Sequence, residues 1–141
     1  MNDPHNKMHF QVKVQRIDAH SSEAQCKDGV ITLDTDLKGR SDAFNPAELL
    51  LAALAACMIK GIERVMPILK FDLRSVEVNI TGIRQDVPPC MESISYEIRV
   101  DSDENDRRLE LLHENVKKYG TVFNTVSPGT KLSGTLKRLQ S

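Results

Sequence analysis

Three side chains in this sequence are strong enough nucleophiles for covalent chemistry near neutral pH: Cys26, Cys57 and Cys90. A thiol reacts as its thiolate, so a reactive one needs a cation or a hydrogen-bond donor beside the sulfur. The odd count and wide spacing fit neither a disulfide framework nor a CxxC pair nor a zinc site. The histidines, His5, His9, His20 and His113, have no metal-ligand spacing and no evident pairing with a cysteine. No metal and no cofactor is therefore expected. Cys26 stands just before a turn signal and Cys90 just after Pro88-Pro89, and both read as incidental. Cys57 is the candidate nucleophile because of what surrounds it.

Cys57 falls about three turns into a helix that begins sharply. Asn45 suits the N-cap, where its side-chain carbonyl accepts from a free amide of the first turn. Pro46 suits the first helical position, where a missing N–H costs nothing. Glu48 falls at the third position, where it can reach back to the cap and lies near the positive end of the helix dipole. From Leu49 to Ile59 the chain is apolar without a break. The pattern predicts a helix running to about Met66 and ended by Pro67, with Gly61 permitting close packing against another helix. A helix apolar on every side must be covered all round. One sheet and one further helix cover two faces, so the remaining face is expected to meet a second copy of the chain in an apolar homodimer interface.

The other elements follow from period and punctuation. Met8, Phe10, Val12 and Val14 alternate with polar residues, which predicts a half-buried strand over 8–16. Lys27-Asp28-Gly29 marks a turn between a strand over 20–26 and another from Val30 to Leu33. Lys38 to Asp42 is a polar loop. Val76, Val78 and Ile80 begin a second set of strands, Asp86-Val87-Pro88-Pro89 is its turn, and Ile94, Tyr96, Ile98 and Val100 line the returning strand. Ser102 or Asp103 is expected to cap a second helix, with Leu109, Leu112, Val116 and Tyr119 on its core side and Gly120 at its C-cap. Leu132, Gly134 and Leu136 suggest a last strand. The order βββ-α-ββ-α-β is an α+β arrangement.

At 141 residues the expectation is a single domain spanning 1–141. A net charge of −1 with interspersed signs gives no electrostatic case for nucleic acid or an anionic membrane. The Leu49–Ile59 run is shorter than the roughly 20 apolar residues that a bilayer span needs. A polar start without a hydrophobic signal region points to a cytoplasmic protein.

At Asn45-Pro46-Ala47-Glu48-Leu49 through Ala55-Ala56-Cys57, the chain resembles the OsmC/Ohr family of thiol-dependent peroxidases, and the element order resembles that family's over essentially the whole length. The resemblance implies an intertwined homodimer with two central helices packed between sheets. It implies that Cys57 attacks an organic hydroperoxide and becomes a sulfenic acid. In the family a second cysteine, in a Tyr-Gly-Cys-Pro-like context, closes a disulfide with the first. Here Tyr119-Gly120 is followed by Thr121, and a hydroxyl cannot form that bond. An external thiol reductant is then required.

In the best-studied branches of the family a carboxylate directly after the Asn-Pro holds an arginine over the sulfur. Here Ala47 occupies that place and Glu48 follows. Ten residues of helix put position 47 about 15 Å from Cys57 on its own chain, so a carboxylate there could serve only a partner's thiol. The one-residue shift turns Glu48 by about 100°, which favours its capping role. Arg40 is the first candidate for the activating arginine and Arg16 the second. The catalytic set that the resemblance implies is Cys57 and Arg40, with Glu48 as the carboxylate nearest the family's position. The alternative is a dimer without peroxidase activity that binds a small apolar or acyl ligand in its interface cleft.

Overall fold

Strands β1 (Lys13–Asp18), β2 (Ser21–Cys26) and β3 (Gly29–Asp34) form an antiparallel sheet in the order β1-β2-β3. The computed structural model describes residues 7–139, so His5 lies outside the described residues. The chain divides into two compact units, Met1–Leu49 and Leu50–Ser141. In the first, Lys27 takes a left-handed φ of 56° at the β2–β3 turn, and Cys26 pairs with Gly29 across it. Asp34 is buried. Its carboxylate accepts from the backbone N–H groups of Asp36 (3.0 Å) and Arg40 (2.9 Å), shaping the loop that leads to the helix. Asn45 and Glu48 form the expected reciprocal cap. Asn45 Oδ1 accepts from the Glu48 N–H at 2.8 Å, and Glu48 Oε1 accepts from the Asn45 N–H at 3.0 Å.

The first strand departs from expectation. It begins at Lys13 rather than Met8, and none of its residues is buried. Met8 and Phe10 are 79% and 78% exposed. The alternation is there, but the face it marks is uncovered in the single chain. Among the described residues of this unit Ala24 and Leu33 are the buried apolar ones.

Helix α1 (Pro46–Leu69) carries the core of the second unit. Leu54, Met58, Ile62 and Val65 are buried along one side at spacings of four, four and three. They meet Ile94, Tyr96, Ile98 and Val100, alternate residues of β5, and Leu109, Leu112 and Val116 of α2 (Asp106–Tyr119). β4 (Leu73–Asp86) and β5 (Pro89–Ser102) form a long antiparallel hairpin. β6 (Lys131–Arg138) lies parallel to β5, giving the order β4-β5-β6.

Four further details correct the sequence reading. Pro67 lies inside α1, which runs on to Leu69. A proline there removes one hydrogen bond in the last turns. The helix closes instead with Lys70 at φ 54° and the Phe71 N–H on the Met66 carbonyl at 2.9 Å, a Schellman closure without glycine. Arg108 adds to it, donating to the Leu69 carbonyl at 2.5 Å with its guanidinium 4.6 Å from the Phe71 ring. The cap of α2 is Asn105, whose side chain accepts from the Arg108 N–H at 2.9 Å. Ser102 ends β5 and donates to the Asp72 carbonyl. Tyr119 is not core but half exposed, at 51%. After Gly120 the chain forms α3 (Thr121–Val126), where no helix was expected.

Candidate functional site

Cys57 sits on the side of α1 that faces α2. The two helices approach antiparallel at matched intervals of four residues. A methyl on Gly61 would stand 3.8 Å from the Val116 α-carbon, and one on Gly120 would stand 3.2 Å from the Cys57 sulfur. The sulfur thus rests against the backbone of Gly120, at the junction of α2 and α3. The φ of Gly120 is −77°, which any residue adopts, so glycine is required here for close approach and not for conformation. The same methyl would also meet the Phe123 Cβ at 3.0 Å and the Val116 carbonyl at 3.2 Å. Cys57 is a half-buried free thiol, while Cys26 and Cys90 are exposed free thiols near hairpin turns.

Behind Gly120 lies an aromatic and histidine cluster that the sequence did not reveal. Phe123 of α3 packs edge-on against Tyr96 of β5, with ring centres 6.4 Å apart. The Tyr96 hydroxyl is hydrogen bonded to His113 Nε2 at 2.7 Å. The Tyr96 ring lies flat over Gly134 of β6, where a methyl would stand 2.5 Å from three ring atoms. Burial, followed by the Glu114 charge, pushes the Tyr96 phenol up to about 12. Burial also lowers the His113 imidazole; Lys117 adds to this and Glu114 opposes it. Gly134 stands opposite Tyr96 in the β5–β6 register, an aromatic–glycine pair on neighbouring strands that no local sequence pattern announces. His113 also lines an open cleft of about 960 Å³ between α2 and β6, with Asp106 and Arg138, which hydrogen bond each other at 3.1 Å. Cys57 is not among the residues of this cleft.

The other expected site residues belong to the first unit. Arg40 holds Asp42 with two parallel hydrogen bonds of 2.8 Å, a bidentate pair that depresses the Asp42 carboxyl through the guanidinium beside it. Glu48 is exposed and engaged in the helix cap. Arg16 is exposed on β1. His20 is bound to Asp36 at 2.6 Å. Among the described residues no group of three or more His, Cys, Asp or Glu is placed to hold a metal ion, and no helix is long and apolar enough to cross a membrane.

Two sheets with three helices, and a cysteine deep in the first helix against the end of the second, define an α+β protein of the OsmC-like fold. The family model described as OsmC-like protein matches residues 39–133, and the chain belongs to that family. An OsmC-like protein from Mycoplasma pneumoniae superposes with a TM-score of 0.88 over 96% of this chain and 100% of its own, at 20% identity. An organic hydroperoxide resistance protein OsmC from Legionella pneumophila gives a TM-score of 0.69 over 92% and 97%, at 18% identity. The organic hydroperoxide resistance protein OhrB of Bacillus subtilis gives 0.66 over 92% and 98%, at 14% identity. No curated protein matches the chain.

Proposed function

We propose that this chain is a cytoplasmic, homodimeric OsmC-type reductase of organic hydroperoxides, a single domain over 1–141 that works through Cys57 and an external thiol. The observation that supports it most is the half-buried Cys57 thiol pressed against Gly120, at the place where the family's two-cysteine chemistry is centred. The named functions of the Legionella and Bacillus relatives support the same substrate class. In the first step the Cys57 thiolate attacks the distal oxygen of the hydroperoxide. The O–O bond breaks, a C–S–O–H sulfenic acid forms, and the alkoxide leaves and takes a proton from water. Thr121 cannot resolve the sulfenic acid. One external thiol condenses with it to a mixed disulfide, releasing water; a second thiol then attacks the reductant's sulfur, so Cys57 leaves as its thiolate and the reductant as a disulfide.

Arg40 and Glu48 enter this proposal as groups of one copy that serve the thiol of the other, with Arg16 as the alternative cation. Arg40 is preformed for such work, because Asp42 fixes the plane of its guanidinium and leaves Nη1 without a partner in that pair.

The test is consumption of cumene hydroperoxide by the purified protein with a dithiol. Turnover is expected, and Cys57→Ser is expected to abolish it; equal turnover by the variant removes Cys57 from the mechanism. Arg40→Met is expected to slow the reaction at least tenfold, about 1.4 kcal/mol of barrier. If Arg16→Met does so instead, the cation is reassigned. A folded protein that shows no turnover, and whose Cys57 alkylates no faster at neutral pH than a free thiol, supports the ligand-binding alternative.

A further inference from the structure

Seven residues beyond Cys57 on α1, the Arg64 guanidinium lies 5.5 Å from the centre of the Tyr119 ring, and the Lys118 ammonium lies 5.3 Å from the same centre. Both distances are within cation–π range. Neither cation makes an ion pair among the described residues, whereas the neighbouring Lys117 is held by Glu114 at 2.9 Å. A cation resting on a ring keeps N–H donors free for an oxygen acceptor. Beside this cluster α1 and α2 leave a groove of about 330 Å³ lined by Arg64, Val65, Ile68, Leu69, Asn115 and Tyr119. Apart from the Tyr119 ring its apolar part is aliphatic, and Ile68 is 70% exposed. The side-chain N–H of Asn115 is already given to the Leu111 carbonyl at 2.9 Å.

We propose that this groove binds an alkyl carboxylate, its head on the Arg64 guanidinium beside Tyr119 and its chain along Ile68 and Leu69 with Val65 at the floor. The charge asks for an anion, and the planar Arg64 fork offers paired N–H donors to the two oxygens of one carboxylate. The lining has neither serine nor threonine to share in a phosphate's oxygens, which favours the singly charged head. The volume is at the small end of ligand sites, about 300–1,000 Å³, so a short to medium chain fits. Each methylene fully removed from water strengthens binding about fourfold.

The experiment is calorimetric titration of the full chain with octanoate, 1-octanol and acetate, in both the parent and the Cys57→Ser protein. Octanoate is expected to bind at least tenfold more tightly than either other compound, equally in both proteins. That equality separates this site from the chemistry of Cys57. Arg64→Gln is expected to weaken octanoate at least tenfold and leave 1-octanol unchanged. Should that variant unfold, Ile68→Asp, at an exposed position, is expected to weaken octanoate in the same way. Octanol or acetate binding as tightly as octanoate, octanoate binding undiminished in the folded variants, or no octanoate binding at all overturns the proposal.

Discussion

Cys57 is close to a backbone that leaves no room for a side chain, and this makes Gly120 its most telling neighbour. A methyl at 120 would press on Phe123, Val116 and the sulfur at once, while the backbone angles there suit alanine. The cost of Gly120→Ala is therefore purely steric, and overpacking of this kind costs about 1–3 kcal/mol. Thermal unfolding measures it. In a Cys57→Ala background the cost is expected to fall, because the sulfur is part of the crowding; strictly additive effects would show that the sulfur is not. His113 yields a second prediction. Its folded-state pKa is lowered chiefly by burial, so the imidazole stays neutral to a lower pH in the folded protein than in the unfolded chain. The unfolded chain takes up the proton at about 6.5. As pH falls below that value the unfolded state binds more protons, and stability declines until the folded value is passed. His113→Gln keeps an acceptor for the Tyr96 hydroxyl and cannot titrate. Its unfolding free energy is expected to fall less steeply than the parent's between about pH 6.5 and the lowered folded value; parallel curves would remove His113 as a source of the slope. Nothing in the order of residues announces this pair, since Tyr96 and His113 are 17 positions apart and meet only once α2 lies on the sheet.

Gly61 and Gly120 look alike in the sequence, yet at the scale of elements they do opposite things. Gly61 lies in the middle of α1, and a methyl there would reach Val116 at 3.8 Å, an ordinary contact. Gly61→Ala is expected to stabilise the protein by about 0.5–1 kcal/mol, the cost of glycine in a helix interior; a fall in unfolding temperature would show that α1 and α2 approach more tightly than that distance allows. Helix α1 was legible because its signals are local: the Asn45–Glu48 cap, the proline at the first position and the unbroken apolar run. Its end was misread for a reason of the same kind. Pro67 is a strong local stop signal, but tertiary contacts outweigh it. Phe71 is buried, Arg108 caps the Leu69 carbonyl, and the last turn survives the loss of one hydrogen bond. Helix α3 was invisible because Thr121, Val122, Thr125 and Val126 are β-branched and poor helix formers. Its partly buried Val122, Phe123 and Val126 pack against the core, and that packing supplies what propensity does not. The candidate site inherits the same division. The proposed nucleophile could be read from its helix, while its contact with Gly120 depends on a helix that propensity argues against.

The molecule as a whole leaves much apolar surface uncovered. In the first unit Met8, Phe10, Val12, Val14, Ile17, Val30 and Ile31 are each about half exposed or more, and among the described residues only Ala24 and Leu33 are buried apolar residues. A three-stranded sheet of this size has too small a core to stand by itself. Val14 and Ile31 flank Ala24 in register, so they share one face of the sheet, and exposed apolar surface of this kind marks an interaction surface. The sheets also end in edge strands, β1 and β3 in one and β4 and β6 in the other, and an exposed edge is a template for pairing with another chain. These features favour the proposed homodimer independently of the family resemblance. Light scattering at micromolar concentration is expected to give twice the chain mass of 15.8 kDa, and a stable mass of one chain would remove the dimer. Phe10→Glu with Val12→Glu should shift the mass toward the monomer, because burying two unpaired carboxylates in an apolar interface costs far more than the interface gains from them. If hydroperoxide turnover needs Arg40 of one copy beside Cys57 of the other, it should fall in step with the dimer fraction as this variant is diluted. Turnover per chain that is unchanged in the monomer would place the activating group on the same chain as the thiol.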